Sequence, residues 1–165
     1  MEMPVFTIRG KNHRERGVDY GVQCKELIQG VLERYIRFFN GGHTAVSWDE
    51  AKVISKEFLP FIHSYSPELL DELEGIAQGA DVEFDDLLTL NSRSEAMTLV
   101  RRPPSDKEEL DGCSSVAVLP DASANGHTIL AQNWDTYTWQ EYGTVILQIL
   151  RDDGPDLMIV TEAGQ

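Results

Sequence analysis

Two cysteines are all that this chain contains, Cys24 and Cys113. They are too few and too far apart for a disulfide framework or a CxxC metal knuckle, so any cysteine chemistry runs through a single thiol. Positive charge is scarce as well. Fourteen lysines and arginines stand against 28 acidic residues, and the formal net charge of -14 repels phosphate backbones and anionic lipid surfaces. Nucleic acid and membrane are therefore not expected as partners, and solubility is the plain use of the acidity. Nowhere do eighteen uncharged apolar residues follow one another, and the opening MEMPVFTIRGKNHRERG holds no signal-peptide core. The sequence reads as soluble and intracellular, cytoplasmic with a peroxisomal location left open. His13, His43, His63 and His127 show no ligand spacing, and no glycine-rich phosphate loop occurs: Gly41-Gly42 reads as a helix stop and GIAQG as part of a helix. No metal site and no resident cofactor are expected. Internal repeats and low-complexity tracts are also missing.

What is present divides near residue 110. VFTIR (5–9) alternates like a short strand. From Arg14 to Phe39 apolar residues recur every three or four positions, which predicts one long amphipathic helix with Cys24 on its buried stripe, ended by Asn40-Gly41-Gly42. Ser47-Trp48-Asp49-Glu50 has capping-box spacing and predicts a second helix that Pro60 stops or kinks. Ser66-Pro67 predicts a third, capped by the serine and running to Gly79 with Leu70, Leu73, Ile76 and Ala77 inward; a shorter fourth runs from about Glu83 to Asn91. RRPPSDKEELD (101–111) reads as an exposed connector. Beyond it the period changes to two or to short apolar runs, CSSVAVLP, HTILAQNWD, TVILQILR and LMIVTEAG, which predict at least four strands with hairpin-like turns. The fold class is α+β.

Cys113 stands at this border, behind a glycine. Its sulfur can attack the Gly112 carbonyl, since glycine offers no side chain to block the approach and tolerates the strained backbone that attack requires. Forming the thioester breaks the peptide C–N bond and frees the α-amino group of Cys113, and hydrolysis then restores the thiol on the new N-terminal residue. With an ordinary pKa of about 7.7 to 8.0, that amine is a serviceable base near neutrality. Nucleophile and base are then one residue. Against this stand a buried, inert Cys113 at a strand edge, an Asp135 that is a plain turn residue, and a structural ion pair of Arg93 with Glu95.

Four stretches, RGVDYG (16–21), ELLDELEGIAQGADVEFDDLLTLNSRSE (68–95), DGCSS (111–115) and ILAQNWDTY (129–137), resemble the acyl-coenzyme A:isopenicillin-N acyltransferases and their relatives, among them insect N-β-alanyl-dopamine hydrolases. These lie within the N-terminal-nucleophile hydrolases. The resemblance implies an αββα fold, a zymogen that cuts itself autocatalytically at Gly112-Cys113, and Cys113 as nucleophile. Asp135 matches the family aspartate near the new amino terminus. Gln132 and Asn133 sit beside it and are placed as substrate-binding or orienting residues, and Arg93 and Glu95 match a family N-x-R-x-E pattern of structural or processing role. The implied domains are a helical pro-segment or α-subunit-like region at 1–112 and the first strands of a catalytic β-subunit at 113–165.

The 53 residues from Cys113 to Gln165 hold too few strands for two facing sheets, so a fragment of a longer protein is expected, with its own continuation as a partner. The implied activity is acyl transfer or hydrolysis through a Cys113 acyl-enzyme. Its small-molecule substrates are an acyl donor, with acyl-coenzyme A the leading candidate, and an amine or amide. Sequence leaves transfer and hydrolysis open, because they differ only in what attacks the acyl-enzyme. A rival of another class is a non-catalytic acidic interaction module in which Cys113 merely packs.

Overall fold

In the computed structural model, which describes residues 3–100, 112–152 and 154–165, the change of period becomes a change from helices to strands. Among the described residues, β1 (Val5–Ile8) precedes α1 (His13–Gln23), α2 (Lys25–Phe38), α3 (Trp48–Lys56), α4 (Leu59–Tyr65), α5 (Glu68–Ala80) and α6 (Phe84–Val100). Then come β2 (Ser114–Val118), β3 (Ile129–Asn133), β4 (Thr144–Ile149) and β5 (Leu157–Glu162). The mixture is α+β, as the sequence implies. The connector expected at 101–111 lies outside the described residues. No helix among those described is long and apolar enough to cross a membrane.

The elements form two units. Residues 3–100 and 139–165 carry β1, the helices, β4 and β5, whereas residues 112–138 carry β2 and β3. In the first unit β4 is the central strand, parallel to β1 (Val5 opposite Ile146, Ile8 opposite Ile149) and antiparallel to β5 (Thr144 opposite Glu162). A parallel pair needs a crossover connection, and here the whole helical run intervenes. Val145, Leu147 and Ile149 alternate inward along β4 and join Ile8, Ile28 and Leu87 in one core. β5 behaves differently: Leu157 to Val160 are exposed, and the strand's buried side chain is Glu162.

Several local signals work as the sequence predicts. Gly42 takes φ 80 beyond the end of α2, Ser47 and Glu50 complete both halves of a capping box, and Pro60 sits in the first turn of α4. Others do not. The single helix expected over 14–39 is two helices, bent at Cys24 (φ -106, ψ 13). The apolar spacing runs on unbroken because Cys24 itself faces the core, 1% exposed.

The bend serves two different packing tasks. α2 buries Ile28, Val31 and Tyr35 in the core, while α1 lays its glycines directly on α5. A Cβ added to Gly17 would come within 2.1 Å of the Glu72 carbonyl oxygen, and one on Gly79 within 2.3 Å of the Val18 carbonyl oxygen. Gly17 with Gly21 and Gly75 with Gly79 thus let two backbones touch. Ser66 does not cap α5 through its side chain; its hydroxyl donates to the Glu68 carboxylate at 2.8 Å. The fourth helix outruns its expected end at Asn91. It bends at Ser92 (φ -118, ψ 15), whose hydroxyl is tied to the Leu88 carbonyl at 2.7 Å and to Ser55 at 2.8 Å, and continues to Val100.

Candidate active site

The unit of residues 112–138 is built on the antiparallel pair β2–β3, registered from Ser114 opposite Asn133 to Val118 opposite Ile129. Its connection carries Gly126 at φ 71, a left-handed position that glycine fills without strain. Cys113 immediately precedes β2, so the register sets it beside the residues that follow Asn133. There its Sγ accepts the Asp135 backbone N–H at 3.2 Å and lies 3.6 Å from the Asp135 carbonyl oxygen. The Asn133 side-chain amide donates to Asp135 Oδ1 at 2.8 Å.

Cys113, Asn133 and Asp135 are thereby brought together, all exposed. An amide aimed at sulfur is placed to meet negative charge developing there. Gln132, opposite Ser115, neighbours Asn133 along β3, and successive strand residues point to opposite faces, so the two do not present one common surface. Gly112 is exposed, and a Cβ added to it would meet nothing within 4 Å. Packing does not demand glycine there.

Arg93 and Glu95 lie on α6, in the other unit. They do not pair, because residues two apart on a helix face different ways. Glu95 is exposed. The Arg93 guanidinium instead donates to the Leu90 carbonyl at 2.6 Å, lies 3.4 Å from Glu162 Oε2 and stands 4.8 Å over the Tyr35 ring. Glu162, 1% exposed, also accepts from the Tyr35 hydroxyl at 2.8 Å and from the Gln165 amide at 2.7 Å; Gln140 donates to the same tyrosine oxygen. Its Oε1 accepts no hydrogen bond from the described residues.

Burial pushes the Glu162 carboxyl above the ordinary glutamate value, offset in part by Tyr35, Arg93, Gln140 and Gln165. Burial pushes the Tyr35 and Tyr20 hydroxyls up as well. Two residues on, Gly164 at φ 97 donates its N–H to the Tyr20 hydroxyl oxygen and accepts from Asn91, each at 2.8 Å. Sequence reasoning missed this cluster. The signal for it was an acid inside the apolar run LMIVTEAG, since a buried charge needs partners.

The two thiols stand in opposite surroundings. Cys24 is buried, and burial pushes its thiol up to about 12; Cys113 is exposed. Iodoacetamide near neutral pH is expected to alkylate Cys113 alone in the folded protein and Cys24 only after denaturation, read by peptide mass spectrometry. Native labelling of Cys24 would contradict the packing described.

No protein-family model matches the chain. Over 151 residues it is 30% identical to the 40 kDa form of acyl-coenzyme A:6-aminopenicillanic-acid acyltransferase of Emericella nidulans, covering 88% of this chain and 39% of that protein. Over 158 residues it is 28% identical to the β-alanyl-dopamine/carcinine hydrolase of Drosophila melanogaster, covering 91% of this chain and 38% of that one. The family resemblance carried by the four sequence stretches is borne out. The chain spans under two-fifths of the length of these curated relatives.

Proposed function

The chain is a relative of an acyl-coenzyme A acyltransferase and of a β-alanyl-dopamine/carcinine hydrolase, and from that kinship we propose that the whole protein is a self-processing enzyme that transfers or hydrolyses an acyl group through Cys113. The observation that carries the reading is the exposed Cys113 sulfur on the Asp135 amide, at the first residue after an open glycine. Cys113 sulfur attacks the Gly112 carbonyl carbon, and the Gly112–Cys113 C–N bond breaks as the nitrogen takes a proton. Water then attacks the thioester carbonyl carbon and the C–S bond breaks, which leaves Gly112 as a carboxylate and restores the Cys113 thiol beside the α-amine already freed.

In turnover the new α-amine takes the thiol proton, and the sulfur attacks the acyl donor. The leaving group is the thiol of coenzyme A or the amine of an amide, and it departs with that proton. An amine attacking the acyl-enzyme completes transfer; water completes hydrolysis. The Asp135 carboxylate, steadied by Asn133, is the group that orients the amine. The rival in which Cys113 only packs calls for a buried sulfur, and the exposure of Cys113 weighs against it.

Mass spectrometry of the purified full-length protein tests the processing step. The expected result is two pieces that meet between Gly112 and Cys113. Assay with an acyl-coenzyme A plus an amine, beside an N-acyl amine in water, then separates transfer from hydrolysis. A single uncut chain that still turned over substrate would overturn the N-terminal-nucleophile reading.

A further inference from the structure

The register of β2 with β3 sorts the residues around Cys113 onto two faces. Side chains alternate along a strand, and residues directly opposite each other in an antiparallel pair project to the same side. Cys113, one step before β2, therefore shares a face with Ser115 and Ala117, and with their partners across the pair, Gln132 opposite Ser115 and Leu130 opposite Ala117. Asn133, opposite Ser114, belongs to the other face. From the thiol outward, this face presents a polar rung and then an apolar one. A strand rise of about 3.3 Å per residue sets the Ser115–Gln132 rung roughly 7 Å from Cys113, and the Ala117–Leu130 rung as far again.

We propose that the polar rung selects the acyl donor: Gln132, with Ser115 beside it, hydrogen-bonds a neutral polar substituent, a hydroxyl or an amide, carried within a few bonds of the carbonyl that Cys113 attacks. The inference rests on the proposed acyl-enzyme and adds to it the class of acyl group. A chain bonded to Cys113 Sγ starts on this face, which is why the acyl group is the occupant. The side chains of the face are exposed, Leu130 by 76%. Among the described residues the Ser115 hydroxyl and the Gln132 amide make no hydrogen bond, whereas the Asn133 amide is engaged on Asp135 at 2.8 Å. Apart from the thiol, none of these groups ionises, so the rung matches a dipole better than an ion. A hydroxyl and a carboxamide each donate and accept, and either kind of partner on the acyl chain finds its complement. Leu130 then meets the apolar remainder of a longer chain.

The two neighbours on β3 thereby part in role. Asn133 acts through Asp135 and serves every acyl donor alike; Gln132 serves donors that offer it something to bond. Removing the Gln132 amide changes the preference between acyl groups. Removing the Asn133 amide slows turnover and leaves the preference as it was. One hydrogen bond on an exposed rung sets that preference at about 2- to 10-fold.

The test uses the full-length protein and two chloromethyl ketones, one carrying a 3-hydroxypropanoyl group and the other a butanoyl group, so that they differ by a hydroxyl in place of a methyl. The Cys113 thiolate displaces chloride from either, and peptide mass spectrometry follows its labelling, scaled by each reagent's rate with free cysteine. In the wild type the hydroxyl reagent is expected to lead by about 2- to 10-fold. Gln132→Leu should bring the two rates together, and Asn133→Ala should leave the gap as it is. Ser115→Ala should narrow the gap, and it keeps the proposal open to refutation if the leucine variant does not fold. Labelling needs only the thiol. A protein that is neither cut nor active yet keeps the gap in this pattern loses the enzyme reading and not the selective rung, so the two failures are told apart. Equal rates in the wild type, or a gap that survives both Gln132→Leu and Ser115→Ala, overturn the inference. A gap lost in Asn133→Ala and kept in Gln132→Leu overturns it as well, by moving the selection to the other face.

Discussion

Replacing Cys113 with alanine is expected to leave the full-length protein as one uncut band and to remove its acyl turnover. The loss should be on the order of 10⁶-fold, the scale on which removal of a nucleophile acts in a well-characterised acyl-transfer enzyme. The fold should not notice. Cys113 is exposed, its sulfur is held by the backbone of Asp135, and truncating an exposed side chain costs little packing. A variant with an unchanged melting temperature, uncut and inactive, separates the chemical role from a structural one. Were the alanine variant cut at the same bond and rate, another group would have to attack the Gly112 carbonyl, and the proposal would fail. Cys24 offers no substitute nucleophile, since it is buried and its thiol is pushed up to about 12.

The sequence disclosed what local spacing can carry. A period of two or a short apolar run marks β2 to β5, and the Ser47–Glu50 box, Gly42 and Pro60 punctuate the helices because each acts on backbone amides or dihedrals within a few residues. The Cys113–Asp135 contact was legible for a related reason: one hairpin register, Ser114 opposite Asn133, suffices to bring the two together. The Cys24 bend was not legible, because the residue at the bend is as buried as its neighbours and the hydrophobic period never breaks.

Pairings across long stretches of chain were hidden as well. β1 against β4 spans most of the sequence. Arg93 on Glu162 replaces the nearer Glu95 because helix geometry turns Glu95 away, and no local rule names a partner 69 positions on. The glycines of α1 and α5 were readable in principle. Gly17 with Gly21 and Gly75 with Gly79 are each one helical turn apart, the spacing that lets two backbones approach, and the reading of RGVDYG and GIAQG took them singly.

Asp135→Asn is expected to fold and to keep Cys113 in place, yet to lose about 10²- to 10⁴-fold in turnover, the usual effect of removing a positioned proton-handling group. The geometry makes this substitution unusually clean. Cys113 Sγ is held by the backbone of residue 135, at 3.2 Å from its N–H, and an asparagine leaves that contact untouched. The asparagine carbonyl can take the place of Oδ1 as acceptor for the Asn133 amide, now at 2.8 Å. Residue 135 is exposed beyond the end of β3, where a turn accepts asparagine as readily as aspartate. What the variant lacks is the negative charge that would orient and polarise the amine of Cys113. Cys113 should still be open to alkylation, since its sulfur stays exposed and in place, while turnover collapses. If a folded, processed Asp135→Asn protein turned over at the wild-type rate, the carboxylate would have no part in the reaction, and Asp135 would be left with its backbone contact to sulfur alone.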